Sequence, residues 1–281
     1  MIFILLAVAF SVAVSALLKL ARRAGVDIVQ AVATNYVMAA GLAAWLLGAT
    51  PQAAFEADAP RVPLLVLGVL LPAIFVVLAY SVRSAGIVRT DVAQRLSLFL
   101  SLAAAFLFFG DTLTAQKGVG IVLAVIAVAC VLWRGARAER SGWVAPVAVF
   151  IGFGAIDICF KRVALAGAPF ASALLASFLI AMVLCWVVAL VRAAMRKAPL
   201  SARSIGFGVI LGAANFANIL FYVRGHQALP HDPALVFAAM NVGVVITGAL
   251  VGALAFREKL SLLNWLGLGL AIAAIGVMTH A

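Results

Sequence analysis

Long apolar runs alternate with short polar linkers along the whole chain, and this alternation is the dominant pattern of the sequence. A helix that crosses a bilayer needs about 17–25 mostly apolar residues. Breaks at charged residues, prolines and glycines divide the chain into runs of about this length. The predicted spans are 2–18, 30–48, 63–82, 92–109, 118–133, 143–161, 170–191, 204–222, 234–255 and 261–279. The pattern therefore predicts an all-α integral membrane protein with ten transmembrane helices.

The composition agrees with a membrane protein, because 67% of the residues are hydrophobic and only 10% are charged. Soluble domains carry about 25% charged residues. The net charge of +11 would suggest a nucleic-acid partner in a soluble chain. Here the Lys and Arg residues lie almost entirely in the linkers, so we expect no nucleic-acid partner. We expect a multi-pass protein of the cell inner membrane, in contact with membrane lipid.

Basic residues in the linkers predict the orientation. The odd-numbered linkers carry 14 Lys and Arg residues, and the even-numbered linkers carry 5. Cytoplasmic loops are enriched in Lys and Arg. The odd-numbered linkers are therefore expected in the cytoplasm, with both termini outside.

Two pairs of similar segments predict an internal repeat. FFGDTLTAQKGVG (108–120) matches AFREKLSLLNWLG (255–267) at an offset of 147 residues. SALLKLARRAGVDIVQAVATNYVMAA (15–40) matches DICFKRVALAGAPFASALLASFLIAM (157–182) at an offset of 142. The chain is thus expected to hold two five-helix repeats, 1–137 and 138–281, within a single membrane domain. Because five is odd, the second repeat enters the membrane from the opposite side, which is an inverted repeat typical of secondary transporters.

The paired FGDTLT and FREKLS elements, each followed by a span that contains glycine, resemble the drug/metabolite transporter (DMT) superfamily and within it the EamA-like group. The resemblance covers essentially the whole chain. It implies transport by alternating access through a central cavity lined mainly by spans 1, 3, 4, 6, 8 and 9. The linker after the second span departs from the family, since it is acidic here and basic in many members.

Arg95 is the first candidate substrate-binding residue, because it lies inside the fourth span. A charge at the centre of a bilayer costs about 2.5–3.5 kcal/mol on insertion scales. Its guanidinium is suited to bidentate recognition of a carboxylate or phosphate. Alternatively, Arg95 reaches back to the cytoplasmic interface with Asp91, one turn away, as its partner.

Asp157 is a second candidate, four residues before Lys161 on the sixth span. Residues at this spacing share one helix face. Asp157 is expected either to carry a coupling proton or to pair with Lys161. Lys161 itself is interpreted as an interface anchor that matches Lys19.

Amide and phenol side chains supply the remaining candidates for substrate binding. Asn215, Asn218 and Tyr222 form one polar stripe at helical spacing in the eighth span, and Asn241 and Tyr80 extend the set. Such groups orient a ligand through neutral hydrogen bonds in an apolar cavity. The alternative is hydrogen bonding between helices.

Other polar and small residues are assigned to packing. Asn35 is expected to pack on the second span. Gly208 and Gly212, like Gly248 and Gly252, are spaced four apart and favour close helix contact.

Asp111 and Glu258 occupy matching positions of the repeat, just ahead of a new span. We expect each to stabilise the positive end of a helix. Thr114 and Ser261 are the predicted N-caps of those spans. Both acids are interpreted as markers of the fold, so neither is expected in a binding site.

Transport of a small polar metabolite, amino acid-like and either zwitterionic or anionic, is the leading functional hypothesis. A flippase for a lipid or a lipid-linked sugar is the alternative, and an intramembrane transferase is a weaker one. Motifs of a Walker ATPase, a zinc protease or a Ser–His enzyme are missing from the sequence. We therefore expect no enzyme activity, no catalytic or metal-binding residues and no cofactor. A proton or a counter-substrate is the expected drive, and the chain is expected to be a monomer or a homodimer.

Overall fold

The computed structural model describes residues 1–52, 60–109, 114–132, 143–166, 169–229 and 233–279, and all the regular structure in these ranges is helical. Ten helices follow one another along the chain. Their bounds are α1 Ile2–Ala21, α2 Ile28–Leu46, α3 Arg61–Ser84, α4 Ile87–Phe109, α5 Ala115–Leu132, α6 Val144–Leu165, α7 Phe170–Ala194, α8 Ala202–Ala228, α9 Pro233–Leu254 and α10 Leu262–Thr279. The all-α prediction and the ten predicted helices are confirmed.

Six of the helices, namely α1, α2, α3, α6, α7 and α8, are long and apolar enough to cross a membrane. Shorter apolar segments lie in α5, α9 and α10. In hydrocarbon every backbone polar group must be satisfied within the segment, and a helix does so. Large apolar side chains are also exposed, among them Trp45 (78%), Leu254 (76%) and Leu262 (88%). Such surfaces suit contact with lipid tails, so the chain is a multi-pass membrane protein.

Seven of the helices are longer than predicted, and the largest extensions are in α4 and α8. Helix α4 begins at Ile87 instead of residue 92, and α8 continues to Ala228 instead of 222. The added residues at the start of α4 include Arg89 and Asp91, whose charges made the apolar run look shorter than the helix. The extension of α8 contains Arg224 and His226, which likewise interrupt the apolar run without interrupting the helix.

The chain divides into two compact units, and each draws on both halves of the sequence. We call Leu17–Ala79 with Ala155–Phe216 the α2/α7 unit. We call Met1–Ala16, Tyr80–Gly154 and Ala217–Ala281 the α4/α9 unit. The divisions fall inside α1, α3, α6 and α8.

In the α2/α7 unit, α2 packs against α7 and α8. Tyr36 of α2 is fully buried and contacts the rings of Phe75 and Phe178, with centroid distances of 6.0 and 5.7 Å. Gly208 and Gly212 of α8 face the backbone of α2. A methyl group at these two glycines would lie 2.5 Å and 2.7 Å from backbone oxygens of α2. The predicted close contact at this glycine pair is confirmed.

Polar side chains secure the start of α2. The Asp27 carboxylate accepts hydrogen bonds from the backbone N–H groups of Val29 and Gln30, both at 3.1 Å. Arg192, near the end of α7, donates to both oxygens of Asp27 at 3.0 and 2.9 Å. Gln30 in turn donates to the carbonyl oxygen of Pro199. Together these bonds join the N-terminus of α2 to the α7–α8 linker.

In the α4/α9 unit, α4 packs against α9, and α5 packs against α10. Gly267 of α10 lies so close to α5 that a methyl group there would be 2.8 Å from atoms of Cys130 and Val131. Asn264 donates to the backbone carbonyls of the same two residues, at 3.1 and 2.9 Å. In both units the packed pairs, α2 with α7, α4 with α9 and α5 with α10, join helices that are five apart in the chain.

Gly208→Ala should destabilise the protein, because the added methyl group would collide with the backbone of α2 and overpacking typically costs about 1–3 kcal/mol. Gly206→Ala is the matched control on the same helix, since nothing lies within 4 Å of its added methyl group. Thermal unfolding in detergent should show a lower Tm for Gly208→Ala only. Equal Tm values for the two variants would contradict the close α2–α8 contact.

Candidate functional site: a buried polar cluster on α1 and α4

Four polar side chains of the α4/α9 unit meet between α1 and α4, and we call Ser11, Ser15, Asp91 and Arg95 the polar cluster. The two serines are four residues apart on α1, and Asp91 and Arg95 are four apart on α4, so each pair shares one helix face. The Ser15 hydroxyl donates to Oδ1 of Asp91 at 2.6 Å. Nη2 of Arg95 donates to the Ser11 hydroxyl oxygen. Each charged residue of the cluster therefore has a hydroxyl on α1 as a partner.

Most of the polar cluster is buried. Asp91 and Ser15 are each 3% exposed, and Ser11 is 8% exposed. Arg95 is half-buried. Burying an ionised side chain in apolar surroundings is costly unless it is paired and hydrogen-bonded. A charged cluster at this depth is therefore unlike the solvated charges of the linkers.

Helix α9 closes the cluster on the side of Asp91. Oδ2 of Asp91 is buried and has no hydrogen-bond partner among the described residues. It faces Gly248, where a methyl group would lie only 2.6 Å from this oxygen. The predicted close contact at Gly248 is thus confirmed, and the glycine leaves room for a carboxylate.

The surroundings of the cluster are apolar. Ile4, Val8 and Val12 of α1 belong to a buried group that also contains Met240 and Val244 of α9. Phe221 of α8 lies against this group and stacks with Phe3 and Phe10. The two serines of α1 therefore lie among apolar side chains of the same helix.

The structure places five of the seven predicted site residues in the α4/α9 unit. Arg95 belongs to the polar cluster, and Asn241 is buried at 7% exposure on α9. Asn218 and Tyr222 are half-buried on α8; Oδ1 of Asn218 has no hydrogen-bond partner within the described part of the chain. Tyr222 contacts the ring of His226. Tyr80 differs from the others, because its side chain is 53% exposed.

The other two predicted residues belong to the α2/α7 unit. Asn215 donates to Oδ1 of Asn35 at 3.3 Å, so the interhelical alternative describes this residue. Asn35 is fully buried on α2, which agrees with its assignment to packing. Asp157 is half-buried on α6, as is Lys161. The proposed role of Asp157 in carrying a proton stays a prediction.

Sequence reasoning missed Ser11 and Ser15 and considered Asp91 only as a partner of Arg95. Single serines in an apolar helix carry little signal, because they commonly bond the backbone of the preceding turn. The available signal was spacing, since both the serine pair and the charged pair repeat at four residues. Spacing alone, however, does not tell which two helices meet.

Glu258 caps the N-terminus of α4, whereas the sequence predicted that it would stabilise the start of α10. Its carboxylate accepts hydrogen bonds from the backbone N–H groups of Ile87 and Val88, at 2.7 and 3.2 Å, and so caps α4 and not α10. Gly86, with φ of +97°, leads into this N-terminus. A methyl group at Gly86 would lie 2.5 Å from the Glu258 carboxylate. The expectation that Glu258 stabilises the start of a helix is correct, but the helix is 171 residues earlier in the chain.

Ser261 caps α10 as predicted. Its hydroxyl oxygen accepts from the backbone N–H of Asn264 at 3.2 Å, and the Asn264 side chain accepts from the backbone N–H of Ser261 at 3.0 Å. This reciprocal arrangement is a capping box. Thr114 directly precedes α5, in the predicted position. Asp111, the counterpart of Glu258 in the predicted repeat, lies outside the described residues.

These observations define a multi-pass α-helical membrane protein that buries a charged polar cluster among its helices. The chain belongs to the same family as a protein of Haemophilus influenzae described as "Uncharacterized protein". The two sequences are 40% identical over 281 residues, which cover 97% of this chain and 95% of the relative. No protein-family model matches the chain. The description of the relative states no activity, so the function must be argued from the site.

Glu258→Gln should destabilise the α4/α9 unit, because the amide loses the charge that interacts with two N–H groups at a helix start. Hydrogen bonds to charged groups are worth about 1.5–3 kcal/mol. Lys259→Gln is the control, since Lys259 is the exposed neighbour. Thermal unfolding in detergent should give a lower Tm for Glu258→Gln than for Lys259→Gln. Indistinguishable Tm values would show that the cap contributes little to stability.

Proposed function

We propose that the protein is a secondary transporter that moves a small polar metabolite across the cell inner membrane by alternating access. The observation that carries the proposal is the polar cluster, in which α4 holds a buried carboxylate and, one turn later, a half-buried guanidinium. Ionisable residues inside membrane helices are costly and commonly mark a pathway for a substrate or an ion.

Arg95 is the proposed binding group for the substrate. Its guanidinium forms charge-assisted hydrogen bonds with carboxylate or phosphate, and apolar surroundings strengthen them. Ser11 orients Arg95 from α1. An amino acid-like compound, zwitterionic or anionic, offers the carboxylate that this group would bind. Asn241, buried on the neighbouring α9, is a candidate for a neutral hydrogen bond to the same substrate.

The proposal includes two inverted five-helix repeats and membership of the EamA-like group of the DMT superfamily. The packing of α2 with α7, α4 with α9 and α5 with α10 supports it, because matching helices of two five-helix repeats are five apart. In inverted-repeat transporters the substrate site lies near the midplane, where the two repeats meet.

The rival proposal is a flippase for a lipid or a lipid-linked sugar, in which Arg95 would bind a phosphate. Both proposals use the same guanidinium chemistry, so the ligand decides between them. A screen of soluble metabolites against lipid extracts, read by thermal unfolding of the purified protein, separates the two. A ligand at a hundred times its Kd stabilises the folded state by about 2.7 kcal/mol. Stabilisation by lipid extracts alone would favour the flippase.

Arg95→Ala should weaken the binding of an acidic metabolite found in this screen by about 10–100-fold, because a hydrogen bond to a charged group is worth about 1.5–3 kcal/mol. Arg83→Ala is the matched control, since Arg83 is exposed at the end of α3. Flux of the same metabolite into proteoliposomes should fall with Arg95→Ala and persist with Arg83→Ala. Unchanged affinity in Arg95→Ala would overturn the assignment of Arg95. Absence of flux for every metabolite that binds would overturn transport itself.

A further inference from the structure

We propose that Asp91 is a proton-binding carboxyl that couples transport to the proton gradient, with Ser15 and Gly248 forming its immediate surroundings. This inference rests on the proposed transport function and names its coupling ion. It also replaces Asp157 as the proton carrier. The argument depends on three properties of Asp91, namely its hydrogen bonds, the charges near it and the space around it.

The two carboxylate oxygens of Asp91 have different surroundings. Oδ1 accepts the Ser15 hydroxyl at 2.6 Å, whereas Oδ2 is buried and has no hydrogen-bond partner among the described residues. An ionised carboxylate has several acceptor sites and no donor, and protonation turns one oxygen into a donor. A buried oxygen without a donor partner is therefore the atom at which a proton can be bound. Gly248 packs closely against this oxygen, and since a methyl group there would lie 2.6 Å from Oδ2, only a glycine accommodates the carboxyl group.

The charged groups around Asp91 are few. Arg95 on its own helix and Glu258 from the segment after α9 both interact with it electrostatically. Helices α9 and α10 contain no Asp, Glu, Lys or Arg. Ionisable residues elsewhere in α4 and its neighbouring helices are Arg89 on α4, Lys19 on α1, Arg61, Tyr80 and Arg83 on α3, and Lys117 and Cys130 on α5. Glu258 accepts hydrogen bonds from the N-terminus of α4, and Arg95 donates to Ser11. Asp91 therefore supplies the carboxyl group of the polar cluster.

A proton fits this site better than a metal ion does. Hard cations such as Ca²⁺ and Mg²⁺ take about six or more oxygen ligands. The polar cluster supplies one carboxylate and two hydroxyls, and one hydroxyl already accepts a hydrogen bond from Arg95. The guanidinium would also repel a second cation. A proton needs only one oxygen atom, and Oδ2 provides it.

The chemical step is reversible protonation, in which the Asp91 carboxylate takes a proton from one aqueous side and releases it to the other. The negative charge of the carboxylate is lost when the O–H bond forms and returns when the bond breaks, and no electrons are exchanged. An anionic substrate bound to Arg95 offsets the guanidinium charge one turn from Asp91. Binding of the anion therefore favours the protonated carboxyl, and by linkage the proton favours the anion to the same extent. The expected mode is symport of an anionic metabolite with a proton.

Infrared spectroscopy of the full-length protein in proteoliposomes tests the site without any substrate. A pH titration should show a carboxylic C=O band that Asp91→Asn removes, and the chain contains only nine Asp and Glu residues to which the band could belong. Ser15→Ala should retain the band at a shifted frequency, because the Ser15 hydroxyl no longer donates to Oδ1. This second variant keeps the test decisive if Asp91→Asn fails to fold. A band that Asp157→Asn removes, or a spectrum that neither variant alters, would overturn the proposal.

Flux measurements then separate this inference from the proposed function. In proteoliposomes supplied with the acidic metabolite found in the screen, accumulation driven by a pH gradient should be lost in Asp91→Asn and should persist in the control Arg83→Ala, because Arg83 is exposed at the end of α3. Accumulation that survives in Asp91→Asn would refute the coupling role and leave transport intact. An Asp91 band without flux of any metabolite would refute transport and leave the proton site intact.

Discussion

The structure depends on one constraint, which is that every backbone polar group inside a membrane needs a hydrogen-bond partner within the protein. The helices satisfy this constraint along their length but not at their ends, where the first N–H groups have no partner in the helix. Asp27, Glu258 and Ser261 supply those partners for α2, α4 and α10. With so few acids in the chain, the use of two of them as caps shows how strongly helix ends determine the placement of polar residues.

The same constraint explains how the polar cluster differs from the side chains that cap helices. Its side chains do not cap a helix start, and they lie where apolar residues would pack at less cost. Ser11 and Ser15 on α1 contact Arg95 and Asp91 on α4, and Gly248 of α9 accommodates the carboxylate. Three helices are therefore adapted to one charged pair, which is the arrangement expected of a binding site and which forms the basis of the proposed transport function.

Hydrophobic periodicity predicted every helix end to within six residues, and the glycine pairs correctly predicted close helix contacts. These features are local, because an apolar run or a small-residue spacing is visible in a single segment. The partner of Glu258 and the contact of α1 with α4 are not local. Glu258 bonds residues 170 and 171 positions earlier, and Ser15 bonds a carboxylate 76 positions later. Which helix meets which depends on the packing of the whole chain, so single-segment patterns could identify Arg95 but not the cluster around it.

The cap on α4 has a consequence for the biogenesis of the protein. A ribosome makes α4 long before it makes Glu258, so the first N–H groups of this helix lack their protein partner while α5 to α9 are synthesised. Helix α4 also carries Arg89, Asp91 and Arg95, which makes its early residence in lipid costly. We therefore expect the start of α4 to remain near water or lipid headgroups until the segment that follows α9 is synthesised. Stable insertion of this helix is consequently expected to be a late event that requires the C-terminal part of the chain.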